Sequence, residues 1–292
     1  MASGQAMQGA EASDQVLDAG QGEQENGWIA LGRAVAGALI FSISLLMTME
    51  TWWLGFSMNR WRFMGFLVVS MLLLMGLAYY RGFREDLSWR DAVIDAFVGY
   101  AVGVITGALF LALFGVIKWG MPPSEVIGKI ALQSSSSAIG ALLARAQLGG
   151  GKDKSEKAQE KEQHYLSEIF LMIVGAIFIS YTVAPTEEIV LIAYQMTPWH
   201  AVSAVIISLL ILHIFVYQVG FHGQEAAPEG STFWSLFLKF TVVGYLFVFL
   251  TSFYILWTFG RIDGVEVPMM LIYAVVLSVP GALGAAAARL IL

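Results

Sequence analysis

The chain has no cysteine in 292 residues, so disulfides, thiolate metal sites and cysteine nucleophiles are excluded. Charge is scarce as well. Asp, Glu, Lys and Arg make up 13% of the chain, against about 25% in soluble domains. No HExxH, Walker A loop, strand-borne GxGxxG or GxSxG elbow occurs. Nucleotide hydrolysis drops out; no enzyme activity, cofactor, metal or nucleic-acid partner is expected. What the chain has instead is apolar sequence: 58% hydrophobic with a mean hydropathy of +0.71. A soluble fold of this length cannot hide that excess. The apolar residues also come in runs of the roughly 20 needed to cross a bilayer.

The formal charge of −6 belongs mostly to one place. Residues 1–28 hold Glu11, Asp14, Asp18, Glu23 and Glu25 and no Lys or Arg. This tail is rich in Gly, Gln, Ala and Glu, too polar to fold, and it lacks the basic start and apolar core of a signal peptide. It reads as a disordered acidic tail on a protein inserted by its first membrane helix.

Eight apolar segments follow, at 30–50, 62–80, 92–117, 125–146, 165–185, 199–219, 233–259 and 267–291. They are long and apolar all round, which fits helices and not the alternating ten-residue strands of a membrane barrel. The one substantial polar break is GGGKDKSEKAQEKEQH, 149–164. Its Glu and Lys spacing allows i,i+4 pairs in a short solvated helix.

The linker divides the chain into halves, 29–148 and 165–292, that match each other. An offset of 138 superposes Ser42 on Ser180, Thr48 on Thr186, Glu50 on Glu188, Trp61 on Trp199 and Ser70 on Ser208. An offset of 145 then pairs Trp89 with Trp234, Gly99-Tyr100 with Gly244-Tyr245, Thr106 with Thr251, and Phe114-Gly115 with Phe259-Gly260. At 144, Ser134, Gly140, Ala144 and Arg145 fall on Ser278, Gly284, Ala288 and Arg289. The expected fold is therefore all-α: a polytopic transmembrane bundle of about eight spans in two four-helix repeats. Four spans return the chain to its starting side, so the repeats are expected to be parallel, related by a pseudo-twofold along the membrane normal.

Lys and Arg favour the cytoplasmic side. Arg81, Arg84, Arg90, Arg145, Lys152, Lys154, Lys157, Lys161 and Arg289 fall on the side of the termini. Arg60, Arg62, Lys118, Lys129 and Arg261 fall on the other. Both termini and the linker are expected in the cytoplasm of a cell whose inner membrane holds the protein.

Ionisable residues inside spans are expensive and so point to function. Glu50, in LLMTMETWWLGF, and Glu188, in TVAPTEEIVLIAY, occupy one position counted twice. Each lies near the outer end of its half's first segment, where Pro185 predicts a helix break. Thr186 before Glu187 and Glu188 reads as a fresh N-cap with acids in the first turn. Facing carboxylates at Glu50 and Glu188, with Glu187, Thr48 and Thr186 as helpers, suit a hard cation or a proton. The plainer alternative puts both acids at headgroup level as caps, with Trp52-Trp53 as an aromatic belt.

Asp95 and Lys239 read as a cross-repeat ion pair or inner gate, or as snorkelling ends. Gln133 and Ser134–Ser137, including Ser135, read as a hydroxyl-lined pathway or as close packing of small residues. His213 is a proton relay or a hydrogen-bonded packing residue.

Two resemblances bear on this. MTMETWWLGF together with APTEEI resembles the shared pattern of a family of bacterial multi-pass integral membrane proteins of unknown function, in which Met-Glu-x-Trp-Trp recurs near the end of the first helix. That resemblance covers most of 30–292 and implies an inner-membrane location without an activity. APTEEIVLIAY followed by PWHAVSAVIISLLILH is similar to the motif region of CAAX-type intramembrane metalloproteases. Glu187, Glu188 and His213 would fall on their Glu-Glu-x-x-x-Arg and Phe-x-x-x-His helices. However, Ile192 replaces the arginine, Leu209 the phenylalanine, and no histidine follows His222, so that site would be incomplete.

The expected function is a channel or transporter for a small cation or protons. The alternatives are an accessory membrane protein docking a partner through its tail or linker and, more remotely, a protease-like enzyme. The expected partners are the lipid bilayer, the cation or proton, and a second copy in a homodimer.

Overall fold

The computed structural model describes residues 31–32, 34–39, 48–81, 89–148, 165–217, 234 and 237–291. The acidic tail 1–28, the linker 149–164 and residues 30, 33 and 40–47 of the first apolar segment lie outside the described residues. Within them the chain is helical, with no strand. The helices are α1 (Met49–Ser57), α2 (Arg60–Arg81), α3 (Trp89–Leu113), α4 (Pro123–Leu148), α5 (Tyr165–Val183), α6 (Glu188–Gln195) and α7 (Pro198–Tyr217). A π-helical turn, Phe237–Val242, then runs into α8 (Val243–Thr258), and α9 (Val267–Ile291) ends the bundle.

Six of these stretches are long and apolar enough to cross a bilayer, and α6 with α7, bent by 119°, makes a seventh. Eight were expected. The first segment lies partly outside the described residues, and within it 31–32, 34–39 and 49–50 are helical. Helix satisfies its own backbone groups where no water reaches, which is why each apolar run folds this way.

Both halves contain a short helix, then a long one, then two more, and the same local devices recur at the sequence offsets. α3 ends on Gly115 (φ 67) and α8 on Gly260 (φ 72), the left-handed residue that stops a helix and favours glycine. The stop is wired alike in each: Gly115 N–H donates to Ala112 and Val116 N–H to Leu111, while Gly260 N–H donates to Trp257 and Arg261 N–H to Leu256. Close backbone approach recurs too. A Cβ at Gly37 would stand 2.4 Å from the Gly140 carbonyl oxygen, and one at Gly175 would stand 2.2 Å from that of Gly284.

The halves meet in an aromatic cluster. Phe66 of α2 stacks on Tyr181 of α5 at 5.1 Å, and both rings touch Phe259 beyond α8. Tyr181 donates to the Leu132 carbonyl of α4 at 2.7 Å. Nearby, Arg62 of α2 donates to Asp263, before α9, at 2.7 Å and lies 4.8 Å over the Trp257 ring. These contacts put the start of α2, the end of α8 and the start of α9 at one end of the bundle, called distal here. The linker attaches at the other.

Candidate functional site

At the distal end the chain breaks as the sequence suggests. α5 stops at Val183, and α6 starts four residues after Ala184. Thr186 does not cap α6, contrary to expectation. Its hydroxyl turns back to the Val183 carbonyl at 2.8 Å, closing the preceding helix, and Glu187 holds the N-cap position with no side-chain cap bond. In the first half Thr48, with extended backbone, precedes α1, and its hydroxyl bonds that of Thr51.

Among the described residues no hydrogen bond joins Glu50 to Glu187 or Glu188. Glu187 and Glu188 are exposed, and Glu50 is half-buried. Around Glu188 lie the Thr186 hydroxyl, its own backbone N–H and the Arg261 charge. α1 instead docks on the start of α4, where buried Lys129 pairs with Glu125 at 2.6 Å and lies 5.4 Å from the Phe56 ring. α6 docks on the start of α9 in the same way, with Tyr194 at 6.2 Å from Tyr273. Phe56 and Tyr194 are 138 apart and Lys129 and Tyr273 are 144 apart. The docking is repeated with a cation in one half and a phenol in the other.

Halfway along the bundle each half sets a half-buried tyrosine against a buried serine. In the first, the Tyr100 phenol of α3 faces Ser135 of α4. In the second, the Tyr245 phenol of α8 lies 3.0 Å from the Ser278 hydroxyl of α9. Gln133, Ser134, Ser135, Ser136 and Ser137 are all buried. Three of these serines donate back to their own helix: Ser134 to Ile130, Ser135 to Ala131 and Ser137 to Gln133. The buried hydroxyls of Ser136 and Ser180 have no hydrogen-bond partner among the described residues. Reading ionisable groups alone missed the two phenols. The repeated Gly-Tyr dipeptide was the signal that marked them.

The linker end carries a third cluster, around the π-turn. His213 of α7 is 7% exposed; its Nδ1 lies 3.0 Å from the Thr241 hydroxyl and its ring meets Phe237 edge-on at 5.4 Å. The Tyr165 phenol of α5 donates to the Lys239 carbonyl at 2.7 Å. Arg289 of α9 pairs with Glu168 of α5 at 3.0 Å and lies 5.0 Å from the Phe240 ring. Lys239 itself is exposed, and no ion pair joins it to Asp95. Glu168 is a partner that the sequence reading passed over. It sits in the first turn of α5, opposite an arginine whose position the repeat had already marked.

Glu188 and His213 occupy opposite ends of the bundle, one beside Arg261 and the other beside the π-turn. Among the described residues no three His, Asp or Glu side chains gather as a metal site would need. A family described as "Putative integral membrane protein (DUF2391)" matches residues 30–292. No curated protein and no solved structure matches the chain.

Proposed function

The chain belongs to this family of integral membrane proteins, and on that premise we propose that it passes a small cation or protons across the bilayer. The observation that carries the reading is the polar layer halfway along the bundle, half-buried phenols against buried serines: Tyr100 with Ser135, and Tyr245 with Ser278, one pair in each half. Polar groups at bilayer depth are costly unless they serve packing or a path. Two phenols at repeat-equivalent positions, each facing a hydroxyl from the neighbouring helix, give oxygen ligands on both sides of a pseudo-twofold. In this reading Glu50, Glu187 and Glu188, with Thr48 and Thr186 beside them, are an acidic mouth at the distal end that concentrates cations. The two halves act as parallel repeats.

Flux into proteoliposomes of sodium, potassium, magnesium and protons tests this. Tyr100→Phe plus Tyr245→Phe is expected to cut the transported species' flux by about tenfold or more, as losing roughly 1.4 kcal/mol would. Glu50→Gln plus Glu188→Gln is expected to lower it several-fold at low salt and little at high salt, because exposed charges are screened. No flux of any of these ions through the wild-type protein would end the reading.

A second reading has its own support. Many of the buried hydroxyls donate to carbonyls of their own helix, as Ser252 does to Val248 at 2.9 Å, and packing serines in membrane helices behave this way. Under it the chain is an accessory membrane protein, with its tail or linker docking a partner. A stoichiometric subunit that co-purifies, with no flux in its absence, is the expected outcome there.

A further inference from the structure

Among the described residues, the π-turn Phe237–Val242 is irregular backbone held from several sides. Its counterpart 145 residues earlier, within α3, is regular α-helix. A π-turn holds one residue more than an α-turn and strains the ladder, so it persists only where its surroundings hold it. Here two neighbouring helices do so by hydrogen bonds. Tyr165 of α5 takes the Lys239 carbonyl, and His213 of α7 takes the Thr241 hydroxyl. A third helix adds packing, with the Arg289 guanidinium over Phe240.

We propose that His213 is a proton-binding site and that its protonation releases this turn. Imidazole is the side chain whose ordinary pKa, about 6.5, falls in the physiological range. The ring is buried against Phe237, so a charge on it is poorly solvated. The charged and titratable groups on the elements around it are mostly cationic: Lys239 on the turn and Arg289 on α9. Glu168 on α5 is held by Arg289, and the Tyr165 phenol is committed to Lys239. Neutral His213 fits this setting and the imidazolium does not. Proton uptake also makes both ring nitrogens donors, and a charged ring that is poorly solvated where it sits swings toward water, which takes it off the Thr241 hydroxyl. The turn is then free to relax to α-helix. Losing one residue from the turn rotates the segment before it by about 100° and moves it by about 1.5 Å along the axis. The turn opens once pH falls far enough to charge the buried ring. Its role as an inner gate, with protons as the species, rests on the transport reading. The movement itself does not.

The absence of native cysteine lets two spin labels report the movement in the full chain. Labels at Leu166→Cys on α5 and Leu238→Cys on the turn, both exposed, give a distance by pulsed electron resonance in nanodiscs. Between pH 8 and pH 4.5 the mean distance is expected to change by about 5 Å, the swing of a side chain through the rotation above. His213→Gln is expected to hold the pH 8 distance throughout. Thr241→Val, which removes the partner without touching the histidine, is expected to show the low-pH distance at both pH values. A wild-type distance that does not respond to pH, or a response that survives in His213→Gln, overturns the proposal. A response with no ion flux in the same protein keeps the switch and removes the transport reading. Flux with no response does the reverse.

Discussion

Gly175 and Gly284 stand where α5 and α9 cross, and the crossing leaves no space for a methyl group. A Cβ on Gly175 would lie 2.2 Å from the Gly284 oxygen and 2.5 Å from the Ala288 Cβ. Gly37 meets Gly140 and Ala144 in the same way. Small residues at such crossings let helix backbones approach in the absence of a hydrophobic drive between them. Gly175→Ala and Gly284→Ala are each expected to destabilise the protein by about 1–3 kcal/mol, the usual range for overpacking, read from denaturant unfolding in detergent. Stability equal to wild type for both would show that the helices separate freely. The repeated Gly140/Gly284 and Ala144/Ala288 were legible in the sequence as packing residues. Their partner helix was not, because segments apolar on every side carry no periodicity to say which face turns inward.

The short helices α1 and α6 are eight or nine residues long, below the length at which an isolated helix holds in water. Each therefore depends on the face it buries: Leu54 and Gly55 in α1, Ile189 and Ala193 in α6. Gly55 packs closely on α4, since a Cβ there would lie 2.8 Å from the Lys129 backbone nitrogen. Gly55→Leu is expected to push α1 off α4 and speed amide exchange in 49–57 by about tenfold, roughly 1.4 kcal/mol, with exchange in α8 unchanged. Protection unchanged in 49–57 would mean that α1 is held by something else. Pro185 and the polar Thr-Glu-Glu made the break at α6 readable from the sequence. The cap was misread because Thr186, coming directly after the proline, closes α5 before it can open α6. The carboxylate pair at Glu50 and Glu188 was legible only as a repeated position. A repeat puts two residues at equivalent places without saying how far each lies from the axis.

At the scale of the molecule, the contacts sort the chain into two ends. Phe56, Arg62, Lys129, Arg261 and Asp263 lie at one; Glu168, His213, Lys239 and Arg289 lie at the other. Aromatic residues mark both levels in matched pairs: Trp61 and Trp199 are each 80% exposed at the distal end, and Trp89 and Trp234 are exposed at the linker end. Such belts sit at the headgroups, so the repeat extends to how each half meets lipid. Parallel halves require equivalent positions to open on the same side of the membrane, whereas inverted halves would place them on opposite sides. Asn59 and Thr197, 138 residues apart and both exposed, are one such pair. Single cysteines at Asn59→Cys, Thr197→Cys and, in the linker, Ser155→Cys can be labelled in right-side-out cells with an impermeant maleimide, against no cysteine background. The first two are expected to react from outside and the third only after permeabilisation, following the excess of Lys and Arg on the linker side. Reaction of Asn59→Cys and Thr197→Cys from opposite sides would break the parallel arrangement. Reaction of both from inside would keep it and reverse the orientation, turning the acidic mouth toward the cytoplasm and the His213 turn toward the exterior, where the pH that moves it is set by the surroundings of the cell.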